Sequence, residues 1–177
     1  MKKLAPLLAL LVLAGSAAAD GLTVNDFFKA VEGKWKGEGT ITNANLEETP
    51  AINNLVCEFV DGGKKFTITG NLRLGNEGEA AEATPIQYRW EYEAGTLDGL
   101  YAGRFVNLGG GEVTDYEVSI DEANLTAKLS QISGASGDPR IEMTNKVVEG
   151  KYHVNFTMTD SNGQEVLKGA LIFDREE

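Results

Sequence analysis

Six aromatic side chains occur in neighbouring stretches of alternating sequence, and together they could hold a small apolar or aromatic ligand. They are Tyr88, Trp90, Tyr92, Tyr101, Phe105 and Tyr116. Aromatic rings offer large apolar faces, and a buried tyrosine hydroxyl needs a hydrogen-bond partner that a bound molecule can supply. The pattern therefore predicts a ligand-binding site made of these six residues.

Residues that commonly catalyse reactions or bind metals are scarce in the sequence. His153 is the only histidine and Cys57 the only cysteine, and the two are far apart along the chain. A structural zinc site takes about four such ligands, and the sequence has neither a hydrolase nucleophile motif nor a phosphate-binding glycine motif. We therefore expect no catalytic residue, no metal, no cofactor and no enzymatic activity. We interpret Cys57 as a small buried apolar residue.

The charge balance excludes nucleic acid as a partner. The chain has 27 acidic and 16 basic residues, which gives a formal net charge of −11 at pH 7. Such a surface repels phosphate backbones and anionic lipid, and no cluster of lysine or arginine offsets the repulsion. The hydrophobic content of 42% is that of a folded domain rather than a disordered chain.

The N-terminal residues have the pattern of a bacterial export signal. Two lysines follow Met1, Leu4–Ala14 is apolar, and three small residues end at Ala19. The apolar run is about half of the ~20 residues that cross a bilayer, so we expect no stable membrane anchor. The pattern predicts a signal peptide over residues 1–19, which is removed, and a single domain over residues 20–177 in the periplasm or outside the cell.

A helix is predicted over Thr23–Val31. Thr23 and Asp26 are spaced as in a capping box, and Gly33 follows the helix as a terminating glycine. Apolar residues at helical spacing form one stripe along it, namely Val24, Phe27, Phe28 and Val31.

After Gly33 the apolar residues alternate with polar ones about ten times. Short turns separate most of these stretches, and Asn162-Gly163 is a strong hairpin signal. A two-layer sandwich and a closed barrel both fit the alternation, and successive hairpins favour the barrel, which leaves no exposed edge. The fold class predicted is all-β, an antiparallel up-and-down barrel of about ten strands with a short N-terminal helix. Residues 43–54 and 75–84 are predicted as longer loops.

The tripeptide Gly33-Lys34-Trp35, placed after a helix and before a meander of strands, resembles the calycin superfamily of lipocalins and fatty-acid-binding proteins. The longer segment 33–39 is similar to nitrobindin-type heme barrels and to related bacterial ten-stranded domains of unknown function. The lipocalin resemblance implies that Trp35 lies under the floor of the barrel beneath Arg175, as a structural closure. A guanidinium over an indole ring stabilises a fold by about 0.5–2 kcal/mol.

The nitrobindin resemblance implies a heme held by a histidine inside the barrel, and His153 is the candidate for that ligand. Alternation along its strand places His153 on the face opposite Tyr152, Val154 and Phe156. If the apolar face points inward, His153 lies outside the barrel.

Three functions follow from these observations. The first is an exported, non-enzymatic barrel that binds a small hydrophobic or aromatic molecule in its interior. The second is a heme-binding, nitrobindin-like barrel. The third is an interaction protein with a packed core and no ligand, in which Val166, Ala170 and Ile172 form an apolar strip for weak homo-oligomerisation or for docking of the helix.

Overall fold

The computed structural model describes residues 21–75, 78, 83–95, 100–132 and 139–177. The predicted signal peptide lies outside the described residues, as does most of the predicted loop 75–84. No helix in the described ranges is long and apolar enough to span a membrane.

The described chain begins with a short 3-10 turn, which is followed by an α-helix and ten strands. The turn is Leu22–Val24, and the elements are α1 (Asp26–Val31), β1 (Gly33–Asn43), β2 (Glu48–Val60), β3 (Lys65–Leu74), β4 (Ile86–Ala94), β5 (Leu100–Asn107), β6 (Val113–Asp121), β7 (Thr126–Gln131), β8 (Arg140–Val148), β9 (Lys151–Thr159) and β10 (Glu165–Arg175). A second 3-10 turn, Asp61–Gly63, connects β2 to β3.

Each strand pairs antiparallel with its neighbours in sequence, and β10 pairs with β1 to close the ring. The predicted ten-stranded up-and-down barrel with a short N-terminal helix is therefore confirmed, and the sandwich is excluded. Closure satisfies the hydrogen-bonding groups that edge strands would expose. The alternating residues of every strand then divide between the lumen and the outer surface.

The start of the helix differs from the prediction. Asn25, not Thr23, caps α1, because its side-chain Oδ1 accepts hydrogen bonds from the backbone N–H groups of Phe27 and Phe28 at 3.0 and 3.3 Å. Val24, which was expected in the apolar stripe, precedes the cap and is 58% exposed. Asparagine and threonine both favour the cap position, and here the residue nearer to the apolar run occupies it.

Helix α1 closes one end of the barrel. Phe27, Phe28 and Val31 are buried there, and the Phe28 ring packs against Phe66 and Tyr92 with centroid distances of 4.8 and 5.5 Å. The helix therefore docks on the barrel end and does not cover the outer face of β10. Ala170 and Ile172 remain exposed on that face.

The predicted loop 43–54 is wrong. A tight turn at residues 44–47 connects β1 directly to β2, which begins at Glu48 and includes Pro50 opposite Thr40 of β1. Ala51, Asn53 and Leu55 share the buried face of β2. Polar Asn53 on that face interrupted the apolar alternation, so the first half of the strand had a loop-like composition.

Arg175, at the end of the last strand, contacts both the first strand and the helix. Its guanidinium carbon lies 4.4 Å from the centroid of the Trp35 ring. Its two terminal nitrogens donate to backbone carbonyls at the end of the helix, Nη2 to Ala30 at 2.7 Å and Nη1 to Glu32. Trp35 Nε1 in turn donates to the Val31 carbonyl at 2.7 Å. These contacts connect the helix to the two strands that close the ring.

Gly33 makes this arrangement possible. Its φ of +128° is unfavourable for residues with a side chain, and a Cβ at this position would overlap Nη1 of Arg175. The glycine of the Gly33-Lys34-Trp35 segment is thus required by the arginine that covers the tryptophan.

Replacing Arg175 by alanine is expected to lower the free energy of unfolding by about 1–3 kcal/mol. The variant loses the contact with the indole ring and the charged donors to the helix carbonyls, and partial exposure of the guanidinium limits the loss. Urea unfolding followed by circular dichroism measures the change. Lys168→Ala is the control, since Lys168 on the same strand makes only an exposed ion pair with Glu165 at 3.3 Å, which contributes about 0–1 kcal/mol. Equal stability losses in the two variants would contradict this role of Arg175.

Candidate functional site

The barrel contains a cavity of about 200 Å³. Its lining comes from β2 to β6 and from β8 to β10, and apart from Asn53 and Asn145 every lining side chain is aliphatic, aromatic or methionine. Apolar walls with a few fixed polar groups are typical of sites for small molecules. This cavity disagrees with the alternative in which side chains fill the interior of the barrel completely.

Five of the six aromatic residues predicted from the sequence line this cavity, namely Tyr88, Trp90, Tyr92, Phe105 and Tyr116. Trp90 is at the centre of the group, with its ring 4.8 Å from the Tyr116 centroid and 5.1 Å from that of Phe105. Both contacts are edge-to-face, a geometry that adds about 0.5–1.5 kcal/mol beyond the burial of area. The structure therefore brings these rings together as one wall.

Tyr101 is not part of the cavity, which corrects the prediction for this residue. It lies at the start of β5, at the end that α1 closes, where its ring packs edge-to-face on Phe28 with centroids 5.6 Å apart. Its hydroxyl accepts a hydrogen bond from Asn25 Nδ2 at 2.8 Å. The hydroxyl thus accepts a hydrogen bond within the protein, at the barrel end that the helix closes.

Glycines inside the strands leave room for cavity-lining rings of the adjacent strands. Gly70 of β3 pairs with Tyr88 of β4, and a Cβ on Gly70 would overlap the Tyr88 ring. The same overlap would occur between Gly169 and the Phe156 ring. Each ring therefore occupies the position that a side chain on the neighbouring glycine would otherwise fill.

Gly70→Ala is expected to push Tyr88 away from the wall and to lower the free energy of unfolding by about 1–3 kcal/mol, the usual cost of overpacking a core. Chemical denaturation measures the change. Gly109→Ala is the matched control, because an added Cβ in that exposed turn would meet its nearest atom at an ordinary 3.5 Å, and surface changes of this kind stay within about 0.5 kcal/mol. Equal stability in the two variants would show that Tyr88 does not depend on Gly70.

Two buried asparagines in the lining were not predicted from the sequence. Asn53 and Asn145 have only 4% and 2% of their surface exposed. Asn53 Nδ2 donates to the Tyr88 hydroxyl at 2.5 Å, whereas the Oδ1 atoms of Asn53 and of Asn145 have no hydrogen-bond partner among the described residues. Continuing the alternation Ile141-Met143 by one step would have placed Asn145 on the inner face.

Burial extends the pH range over which the cavity tyrosines stay protonated. Loss of hydration raises the pKa of Tyr88 and of Tyr116 to about 12. The same cause raises the pKa of Tyr92 and of Tyr152 well above the ordinary value of 10.0. The phenols therefore act as neutral hydrogen-bonding groups, not as bases.

The raised pKa values make stability depend on alkaline pH. Below about pH 10 these phenols are protonated in both the folded and the unfolded chain, so they cause no change in stability with pH. Between pH 10 and about pH 12 the unfolded chain releases protons that the folded chain retains, and the free energy of unfolding falls as pH rises. Urea titrations across this range measure the fall, and the ultraviolet absorbance of tyrosinate checks its cause. Ionisation of all five tyrosines near pH 10 in the folded protein would contradict it.

His153 lies on the outer face of β9. Tyr152, Val154 and Phe156 of that strand line the cavity, so the intervening residue points away from it. A heme inside the barrel therefore cannot take His153 as its iron ligand in this arrangement. In the described part of the chain no group of three or more histidine, cysteine, aspartate or glutamate residues could hold a metal ion.

Cys57 is buried and does not line the cavity. Burial raises the pKa of its thiol to about 12, with a smaller opposing effect from the nearby Arg175 charge. The residue is thus a protonated, apolar part of the core, and its reactivity as a thiolate is suppressed.

Comparison with known proteins supports the fold but names no family. No family model and no curated protein match the chain. The S-type phycobiliprotein lyase CPES from Guillardia theta is similar in structure, with a TM-score of 0.63 and 11% identity over 87% of this chain and 93% of that chain. The protein Rv2717c from M. tuberculosis has a TM-score of 0.60 and 12% identity over 84% of this chain and 94% of that one.

A third similar structure is a protein of unknown function from the DUF3598 family of Nostoc punctiforme. Its TM-score is 0.55 at 10% identity, over 84% of this chain and 49% of that chain. At such identities the likeness concerns the fold alone. The finer resemblance to nitrobindin-type heme barrels is not supported by these comparisons.

Proposed function

We propose that this chain is an exported, non-enzymatic binding protein that holds a small hydrophobic or aromatic molecule inside its barrel. The observation that carries the proposal is the cavity of about 200 Å³ with its aromatic wall. Removing apolar surface from water on both ligand and cavity would drive binding.

The volume of the cavity sets the size of the ligand. A protein cavity of about 150 Å³ accommodates benzene, and sites for drug-sized molecules measure roughly 300–1,000 Å³. A cavity of about 200 Å³ therefore suits a molecule of one or two rings. The four-ring macrocycle of heme is larger than this volume.

The chemistry of the lining supports binding rather than catalysis. The titratable groups that line the cavity are the phenols of four tyrosines, Tyr88, Tyr92, Tyr116 and Tyr152. Phenols are neutral at physiological pH, and burial raises the pKa of these four further from it. The S-type phycobiliprotein lyase among the similar structures shares the fold, but the lining offers no carboxylate, imidazole or thiolate through which such an activity could proceed here.

Export is supported by residues 1–19. Their basic start, apolar run and small-residue end match a signal peptide, and the acidic remainder of the chain has no second long apolar stretch. We place the mature protein in the periplasm or outside the cell, where a barrel of this kind would sequester or carry its ligand.

Binding of naphthalene to the purified protein tests the proposal. At a ligand concentration about a hundred times Kd, the melting temperature should rise by about 5–10 °C, because the ligand binds the folded state alone. Val154→Phe should abolish the rise, since Val154 lines the cavity and the larger ring would fill it.

Thr157→Phe is the matched control, because it adds the same ring on the outer face of the same strand and should leave the rise unchanged. Isothermal titration calorimetry gives the affinity of each variant. No response of the unaltered protein to naphthalene or to indole would refute the proposed function, as would a response that survives in Val154→Phe.

A further inference from the structure

The lining of the cavity includes two asparagines whose side-chain oxygens have no hydrogen-bond partner in the described part of the protein. The Oδ1 atoms of Asn53 and Asn145 are unpartnered among the described residues, and both side chains are buried and line the cavity. A buried amide oxygen without a donor is unfavourable, and native proteins rarely leave such atoms unpartnered. Their position suggests that the donors come from the molecule that occupies the cavity.

The two acceptors approach the cavity from different sides. Asn53 is on β2 and Asn145 is on β8, and β1, β10 and β9 lie between those strands on the shorter way around the ring. A ligand group that reaches one oxygen is therefore not placed to reach the other. Satisfying both requires two donors at separate points of the ligand.

Contacts of Asn53 also indicate the kind of donor. Its Nδ2 donates to the Tyr88 hydroxyl oxygen at 2.5 Å, so the hydrogen of that hydroxyl remains available to donate. A ligand hydroxyl could donate to Asn53 Oδ1 and accept from Tyr88. Next to Asn53 and Tyr88, a ligand hydroxyl, which both donates and accepts, is therefore favoured over a group that only donates.

The absence of charge in the lining restricts the ligand further. No lysine, arginine, aspartate or glutamate is among the residues that line the cavity. Moving an ion from water into an apolar space without a countercharge is very unfavourable. The ligand is therefore neutral in its buried part.

We propose that the cavity selects neutral aromatic molecules of one or two rings that carry two separate O–H or N–H donors, one for Asn53 and one for Asn145. This inference rests on the proposed function, because it assumes that the cavity binds a small aromatic molecule. It adds the chemical class of that molecule and the two residues that determine specificity.

A series of ligands built on one ring system tests the inference on the unaltered protein. The series is naphthalene, 2-naphthol and 2,7-dihydroxynaphthalene, with 2-methoxynaphthalene as the compound that adds oxygen without a donor. A hydrogen bond to a buried unpaired acceptor should tighten Kd by about tenfold for each hydroxyl, measured by calorimetry. The methoxy compound should bind no more tightly than naphthalene.

Asn145→Leu tests the specific acceptor, because leucine has a similar size and no hydrogen-bonding group. The variant should bind naphthalene at least as tightly as the unaltered protein and lose about tenfold of its affinity for the dihydroxy compound. Its melting temperature should not fall, because the substitution removes an unpaired buried oxygen and leaves the Asn53–Tyr88 bond intact.

The outcomes separate the two proposals. If naphthalene binds and added hydroxyls do not tighten binding, the donor inference fails and the proposed function stands. The donor inference also fails if Asn145→Leu keeps the full preference for the dihydroxy compound. If no member of the series binds, the proposed function itself fails.

Discussion

The closed barrel depends on the pairing of β1 with β10, and the contact between Arg175 and Trp35 lies at one end of that pairing. Trp35 is in the first strand, Arg175 ends the last, and the guanidinium also donates to carbonyls at the end of α1. Pairing of β1 with β10 completes the ring, and the helix seals one end of it. With one end covered by the helix and all strand edges paired, the inner side chains are largely buried around the cavity.

What the cavity can hold follows from the strand register. The rings of Tyr88 and Phe156 lie against glycines of adjacent strands. Because these glycines have no side chain, the rings stay close to the wall of the barrel. Two amide oxygens interrupt an otherwise apolar lining. On our proposal, the cavity combines a hydrophobic driving force with a requirement for hydrogen-bond donors, and the two together define a narrower class of ligand than either does alone.

The sequence predicted the barrel well, because an apolar residue at every second position fixes which face of each strand points inward. The same alternation grouped five aromatic residues that line the cavity and left His153 outside it. It failed where a polar residue belongs to the inner face, as at Asn53, whose strand was interpreted as a loop. It also misassigned Tyr101, because alternation gives the face of a residue but not its depth along the barrel axis.

Other features could not be derived from a single strand. The packing of the Tyr88 ring against Gly70 depends on which residues pair across two strands. The volume of the cavity depends on the arrangement of all ten strands. The contact of Trp35 with Arg175 was expected from the resemblance to lipocalins and not from the spacing of the residues, since it requires the ring to close.

The two tryptophans of the chain occupy different environments, and they therefore act as two internal fluorescent reporters. Trp35 is beneath Arg175 at the sealed end, whereas Trp90 forms part of the cavity wall. Indole emission responds to its immediate surroundings, so the light from Trp90 reports the contents of the lumen. The light from Trp35 reports whether the two ends of the chain remain joined, which allows occupancy and opening of the barrel to be followed separately in one sample.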